Sequence, residues 1–196
     1  MASSPPSSPP ALPVPTTPAG WAIWAWGVGG VSLVLLNPIV RLSAHPIEAL
    51  STGLTPLQWG VAAVWLVFMM YSEAYRGFHK QFAPRVVVRA LALAQRPSPL
   101  PVVLAPFMCM GLLHANRKRK IVSWSLLTMI VILVLLVRQL PQPWRGIVDL
   151  GVVAGLASGL GSVWWFALGA LRGAPPRVPA DLPDGLPPTA EEMPAE

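Results

Sequence analysis

Charge and cysteine are scarce in this sequence. Only 11% of its 196 residues are charged, whereas soluble domains carry about a quarter. The single cysteine, Cys109, excludes an intrachain disulfide and leaves the redox compartment open. The sequence also lacks a glycine-rich phosphate loop, a nucleophile elbow, an HExxH motif and paired carboxylates on one helix face. We therefore expect no catalytic residues, no cofactor and no metal site.

Hydrophobic residues are abundant, at 54% of the chain, and they are grouped into long runs. A helix that crosses the hydrocarbon core of a bilayer needs about 20 apolar residues. Four segments meet this need, at residues 20–36, 57–73, 121–137 and 147–171. They predict an all-α integral membrane protein with four transmembrane helices between residues 20 and 171.

Both ends of the chain are rich in proline. Residues 1–19 contain seven prolines and no charged side chain, and residues 172–196 hold five of the eight acids. Such compositions do not form a packed core. We expect two disordered tails, the second of them acidic.

A long basic loop separates the second and third predicted spans. Within it, residues 100–113 form an apolar segment of only fourteen residues that contains Pro101 and Pro106. Residues 76–120 hold nine basic residues and no acid: Arg76, Lys80, Arg85, Arg89, Arg96, Arg117, Lys118, Arg119 and Lys120. A crossing at 100–113 would place these cations on opposite faces, against the positive-inside rule. We expect instead a re-entrant or surface segment, with the basic loop and both termini in the cytoplasm.

The sequence from Pro84 to Arg96 predicts an amphipathic helix inside this loop. Arg85, Arg89 and Arg96 lie within about 40° of one another at 100° per residue, with apolar residues opposite. Such helices lie flat on anionic leaflets. We expect the nine basic residues to set the topology and to contact lipid headgroups or a protein partner. Nucleic acid is disfavoured, because the cluster adjoins two spans and lacks aromatic side chains for base stacking.

Three glycines at four-residue spacing, Gly151, Gly155 and Gly159, form a ridge on the last predicted span. Small residues at this spacing let a second helix approach closely within a membrane. The partner helix belongs either to the same chain, as the first or second span, or to another subunit. The pattern leaves both alternatives open.

Two acids fall within predicted spans. Acids inside a membrane are costly and are candidates for ion or proton relays. Glu73 is placed at the inner end of the second span and Asp149 at the outer start of the fourth, so we do not expect them to form a pair. Structural roles also fit, because Arg76 follows Glu73 by three residues and Arg145 precedes Asp149 by four.

Two histidines, His79 and His114, fall at the predicted cytoplasmic boundary. They could ligate a haem, but haem-binding histidines usually lie within spans on facing helices, and no Cys/His spacing resembles a metal site. Hydrogen bonds to headgroups or carbonyl groups are the simpler role for both.

Three phrases, "YSEAYRGFHKQFAPRVVVRA", "HANRKRKIVSWS" and "VRQLPQPWRGIVDLGVVAGL", together resemble a family of small, functionally uncharacterised bacterial inner-membrane proteins. The resemblance covers residues 71–169 and implies no activity. It implies a location in the bacterial inner membrane. The positions that carry it are Glu73, Arg76, Phe78, Pro84, Arg85, Pro141, Pro143, Trp144, Arg145 and Asp149.

The leading hypothesis is a non-enzymatic membrane subunit that acts in assembly, as an accessory protein or as a scaffold. Its partners would be anionic lipids and either further copies of the chain or a larger membrane complex. A small oligomeric channel or transporter that uses Glu73 and Asp149 is the second hypothesis. A membrane enzyme or haem-binding electron carrier that uses His79 and His114 is the third.

Overall fold

The computed structural model describes residues 12–95, 102–112 and 117–179, and within these ranges the chain is helical with no strand. Within 117–127 the side chains of 117–120, 122, 123, 126 and 127 lie outside the description. The elements are α1 (Pro18–Thr52), α2 (Pro56–Met69), a π-helical segment (Met70–Phe82), α3 (Ala83–Gln95), α4 (Ala105–Cys109), α5 (Arg117–Val137) and α6 (Trp144–Leu171). The predicted all-α class is confirmed.

Two of these helices, α1 and α6, are long and apolar enough to cross a membrane. In α5 the described apolar stretch is shorter, at Thr128–Val137. The lengths of α1 and α6 are consistent with a membrane protein, because about 20 helical residues suffice for one crossing.

Helix α1 is longer than the sequence predicted. Asn37–Pro38 was expected to end the first span and to begin a loop that reached Pro56, but α1 continues through Pro38 and Pro46 to Thr52. A proline inside a helix removes one hydrogen bond and costs about 3 kcal/mol, so packing must offset it. Pro46 is buried, and Ala49 packs against Gly146 at the start of α6.

A tight turn connects α1 to α2. Gly53 adopts a positive φ of 84°, which favours glycine. Thr55 and Gln58 then form a capping box, in which Thr55 N donates to Gln58 Oε1 at 2.9 Å and Gln58 N donates to Thr55 Oγ1 at 3.4 Å. The chain therefore reverses within three residues and enters a second long helix.

That second helix runs without a break from α2 through the π-helical segment to the end of α3. The π-helical geometry ends at Phe82, two residues before Pro84. Pro84 has no N–H and disturbs the carbonyl groups of the preceding turn. The Arg85 side chain supplies a donor there, with Nη1 2.8 Å from Gln81 O. The widened turn and this bond let the helix pass a proline that was expected to begin a new one.

Helix α3 is a core element, not a helix lying on a surface. Val86, Val87, Ala90 and Leu91 are fully buried, and they pack with a stripe on the first half of α1. The stripe has helical spacing: Trp24, Val28, Val31 and Leu35. The predicted helix is present, but its predicted interfacial position is wrong, because protein covers the faces that were expected to meet lipid and water.

Helix α6 packs against every part of the second long helix and against α1. It begins beside Ala49, near the end of α1, and Val163, Ala167 and Ala170 join Trp24 in the core near the start of α1. Helix α6 is thus antiparallel to α1. Ala94 packs near Gly20, so α3 also ends at the start of α1.

The described residues before α1 are packed against the bundle. Gln95 Nε2 donates to Pro13 O at 2.9 Å, Pro15 is buried, and Thr17 Oγ1 caps α1 by accepting from Gly20 N at 3.1 Å. The predicted disordered tail 1–19 is therefore wrong for residues 12–19. Residues 1–11 and 180–196 lie outside the described residues.

Helix α5 has a surface unlike that of the other long helices. Every described side chain from residue 121 to residue 136 is exposed, and Val137 is the first that is buried. Residues 128–136 are nine consecutive positions, which cover all faces of a helix. One side-chain bond links its beginning to the preceding segment, from Trp124 Nε1 to Leu112 O at 3.3 Å.

Candidate functional site

The glycine ridge of α6 faces the second long helix of the same chain. A Cβ atom at Gly151 would collide with the Trp65 ring, and one at Gly155 would lie 3.1 Å from Glu73 Oε2. A Cβ atom at Gly159 would lie 2.5 Å from Phe78 Cγ. All three glycines are buried. In the structure, the ridge thus receives side chains of α2 and the π-helical segment: Trp65 and Met69 at Gly151, Glu73 at Gly155 and Phe78 at Gly159.

Trp65 attaches α2 to α6 through a polar bond as well as through packing. Its Nε1 donates to Val148 O at 3.1 Å. Carbonyl groups in the first turns of a helix accept bonds within that helix, so this one accepts a second bond through its other lone pair. The absence of a side chain at Gly151 allows the indole to come this close.

Glu73 and Asp149 lie on different faces of α6, because Gly155, which Glu73 contacts, is about 120° around the helix from Asp149 at 100° per residue. Glu73 contacts Gly155, six residues from Asp149, which corresponds to about 9 Å along the helix axis. They were expected near opposite membrane faces, so the structure places them closer than predicted. Trp65 and Met69 pack at Gly151, between the two acids.

Asp149 belongs to a polar cluster where α1 and α6 meet. It is 4% exposed, and its Oδ2 lies 3.9 Å from Arg145 Nε, one helical turn earlier. Gln142 links this region to α1, because its Nε2 lies 2.9 Å from Glu48 Oε2 and 3.4 Å from His45 O. Gln142 Oε1 also accepts from Gly146 N at 3.1 Å, which caps α6. The bonds of Gln142 form a structural link between α1 and α6, whereas Arg145 Nε and Asp149 Oδ2 are buried without a hydrogen-bond partner among the described residues.

His79 is held by residues of α6. Its Nδ1 lies 3.2 Å from Ser162 Oγ, and its ring centroid lies 5.1 Å from that of Phe166. On its own helix, Tyr75 stacks against it at 6.2 Å with an interplanar angle of 14°. His114, its predicted companion, lies outside the described residues.

An open cleft of about 350 Å³ lies beside His79. Its walls include Tyr75, Pro84 and Phe166, and two cationic side chains line it, Lys80 from the π-helical segment and Arg177 from the segment after α6. The Lys80 Nζ also lies 4.6 Å from the centroid of the Tyr75 ring, which is cation–π geometry. None of the described residues that line the cleft is acidic.

The other predicted contact residues are in different surroundings. Arg76 is exposed, and Arg85 is half-buried with its bond to Gln81 O. Arg89 is 4% exposed, and its Nη1 donates to Cys109 O at 3.3 Å. The inclusion of Arg89 in a surface that meets lipid or a partner is therefore wrong. Arg96 and the side chains of Arg117, Lys118, Arg119 and Lys120 lie outside the described residues.

Cys109 lies next to Arg89, in the segment that was predicted to be re-entrant or on the surface. Its side chain is 1% exposed and packs at Gly27 of α1. Burial raises the pKa of the Cys109 thiol to about 12, and the positive charge of Arg89 opposes that rise. Pro106, in α4, packs onto Gly30 so closely that a Cβ atom there would collide with its ring. The described part of this segment is thus fitted against α1.

Sequence reasoning missed several of these contacts. Gly27 and Gly30 receive Cys109 and Pro106, and the sequence "WGVGGV" around them carries the same small-residue signal as the ridge on α6. Trp65 and the cleft residues Tyr75 and Phe166 had no such signal, because spacing does not reveal which aromatic side chains meet across helices.

Metal chemistry finds no support in the described residues, where no group of three or more His, Cys, Asp or Glu side chains could hold an ion. The two cations and the aromatic walls of the cleft suit an anionic group. Comparison of the chain with protein-family models, with curated proteins and with solved structures gave no match.

Proposed function

We propose that this chain is a non-enzymatic integral membrane protein that serves as an accessory, assembly or scaffold subunit of a membrane complex. The observation that carries the proposal is the surface of α5. Its described side chains are exposed on all sides from residue 128 to residue 136, and they are almost entirely aliphatic. Such a helix needs lipid or other helices around it. The glycine ridge of α6 is already filled within the chain, and of the helices with exposed apolar side chains α5 is the one exposed on all sides at its described positions, so we assign the partner contact to α5.

The proposal includes four crossings, in the bacterial inner membrane, with both termini in the cytoplasm. The path of the chain supports an even number of crossings. Helix α1 runs in one direction, the second long helix and α6 run in the other, and the beginning of α1 lies near the end of α6. The basic residues between 76 and 120 support the cytoplasmic side. The family resemblance over residues 71–169 remains part of the proposal.

Cysteine crosslinking along α5 tests the partner role. Single cysteines at residues 128–136, in a Cys109→Ser background, are expected to crosslink in native membranes at positions that repeat every three to four residues. That repeat marks one helix face in contact with a second subunit. Cysteines on the opposite face serve as matched controls, because they meet lipid.

Absence of crosslinked product at all nine positions would contradict the proposal if the detergent-purified particle is also a monomer without a co-purifying protein. Crosslinking with equal yield at every position would indicate random collision and would also count against it.

A small oligomeric channel or transporter is the second candidate, and the burial of Asp149, whose Oδ2 has no hydrogen-bond partner among the described residues, favours it. Glu73 packs against α6 at Gly155 and Asp149 lies where α1 and α6 meet, so a pathway that uses both acids would pass along two faces of α6. Flux of ions or protons into proteoliposomes is expected to fall at least tenfold in Glu73→Gln and Asp149→Asn if this candidate is right, since each variant removes a charge from the path. Arg76→Gln, at an exposed position outside the path, is the control. Unchanged flux in both acid variants would eliminate a channel that uses these groups.

A further inference from the structure

We propose that the cleft lined by Tyr75, His79, Lys80, Phe166 and Arg177 binds a phosphate group, in the form carried by an anionic phospholipid headgroup or by a soluble phosphate compound. The inference extends the proposed function, because it assigns one defined binding site to a region where basic residues were predicted to contact lipid headgroups. It rests on the membrane location in that proposal but not on the subunit role.

The two cations are distant in sequence, and separate features of the fold bring them together. Lys80 lies in the π-helical segment, one residue after His79. Arg177 follows α6, where the chain turns sharply at Gly173. Gly173 has a φ of 81°, Gly173 N donates to Ala170 O at 3.0 Å, and Ala174 N donates to Gly169 O at 2.9 Å. This pair of bonds is the Schellman motif, which needs a left-handed residue after the helix.

The turn determines where Arg177 can be. By reversing the chain at the end of α6, it lets the following segment reach the same cleft as Phe166, which lies seven residues before Gly173. A straight continuation of α6 would instead carry Arg177 beyond the bundle. The arginine is thus placed at the cleft by backbone hydrogen bonds.

The π-helical segment places the other half of the cleft. Tyr75 and His79 stack on one face, and Lys80 extends over the Tyr75 ring. π-Helical geometry is rare, and the single π-helical turns found inside α-helices occur frequently at functional sites. His79 uses Nδ1 towards Ser162, so Nε2 is the ring nitrogen that can meet a ligand.

The side chains that line the cleft indicate which class of ligand it can bind. Two side chains with permanent positive charge and no acid among the described lining residues favour an anion. The guanidinium of Arg177 can donate two parallel bonds to phosphate oxygens, and Lys80 adds a point charge. Tyr75, Pro84 and Phe166 provide apolar surface beside these groups, which suits the glycerol and first acyl carbons of a lipid.

Native mass spectrometry of the full-length protein in mild detergent tests the inference. The probes are dihexanoyl phosphatidylglycerol, dihexanoyl phosphatidylcholine and inorganic phosphate. We expect saturable binding of phosphatidylglycerol that weakens about tenfold in Lys80→Gln and in Arg177→Gln, because each variant removes a charge-assisted contact. Arg41→Gln and Arg138→Gln are matched controls, since both remove an exposed cation that does not line the cleft and lies outside the basic set from residue 76 to residue 120. They are expected to change the affinity less than twofold.

The probes distinguish the two sources of phosphate. Binding of phosphatidylglycerol alone assigns the site to a lipid headgroup. Equal competition by inorganic phosphate assigns it to a soluble phosphate compound. Equal weakening in Arg41→Gln and Lys80→Gln would overturn the proposal, because it would show attraction to overall charge. Equal binding of phosphatidylcholine would also overturn it.

An experiment that disproves phosphate binding in the cleft can be told apart from one that disproves the subunit role. Lys80→Gln and Arg177→Gln are expected to leave the crosslinking pattern of α5 unchanged, because these residues lie on other elements. The thermal midpoint of each variant in ligand-free detergent checks that a loss of binding is not a loss of fold.

Discussion

Gly159→Val is expected to destabilise the bundle by about 1–3 kcal/mol, whereas Gly161→Val is expected to leave its stability nearly unchanged. At Gly159 the first added carbon would already lie 2.5 Å from Phe78 Cγ, in the middle of the ring rather than at a flexible end. Helix α6 and the π-helical segment would have to separate or Phe78 would have to leave its site. The measurement is the thermal unfolding midpoint of purified protein in detergent.

Gly161 is the matched control because it lies two residues away on the same helix and has nothing within 4 Å of its Cβ position. The gain in helix propensity over glycine is the same at both sites, a few tenths of a kcal/mol. Their difference therefore isolates the contact with Phe78.

A second control uses the partner side chain. Phe78→Ala alone is expected to destabilise by leaving a cavity, but in combination with Gly159→Val it should recover part of the loss. Equal effects of valine at positions 159 and 161, or strict additivity with Phe78→Ala, would show that the ridge does not pack against Phe78 in solution.

The helical class and the main apolar runs could be predicted from the sequence because both depend on local composition. The turn between α1 and α2 also had local signals, in Gly53 and in Thr55 with Gln58. The glycine ridge could be recognised but not assigned, since its spacing is the same for a partner in the chain and for a partner outside it. In the structure, Trp65, Glu73 and Phe78 of the same chain occupy the ridge. These residues are far from the ridge in sequence.

The prolines misled the prediction for a physical reason. Pro38 and Pro84 each lack a donor, so Pro38 was expected to end a helix and Pro84 to begin one. Within a packed bundle the cost is offset by contacts, as at buried Pro46, or by a side-chain donor, as Arg85 provides near Pro84. Such compensation depends on neighbours that the local sequence does not name.

Arg89 illustrates a similar difficulty. Helical periodicity placed it with Arg85 on a polar face, and a charged face was expected to meet water or headgroups. Its guanidinium instead reaches the backbone oxygen of Cys109 inside the protein. A buried arginine that donates to a backbone oxygen has the same periodicity as an exposed one, so the pattern could not separate the two.

The thiol of Cys109 is expected to react with a maleimide at pH 7 at least a thousandfold more slowly in the native protein than after denaturation. Only the thiolate reacts, and a rise in pKa from 9.0 to about 12 lowers its fraction by about a thousandfold at this pH. The 1% exposure of the residue adds a steric barrier. The labelling rate of the single cysteine, measured by intact mass, gives the result directly.

Gly30→Val is expected to remove most of this protection, while Gly29→Val should keep it. A side chain at Gly30 collides with the Pro106 ring, so the segment that carries Cys109 must move away from α1. Gly29, the adjacent residue, has nothing within 4 Å of its Cβ position. Rapid labelling of the unmodified protein, or equal labelling rates in the two valine variants, would mean that the segment is not held against α1. If labelling is slow in the unmodified protein and in Gly29→Val but fast in Gly30→Val, the contact of Pro106 with Gly30 is what keeps the Cys109 thiol buried and protonated.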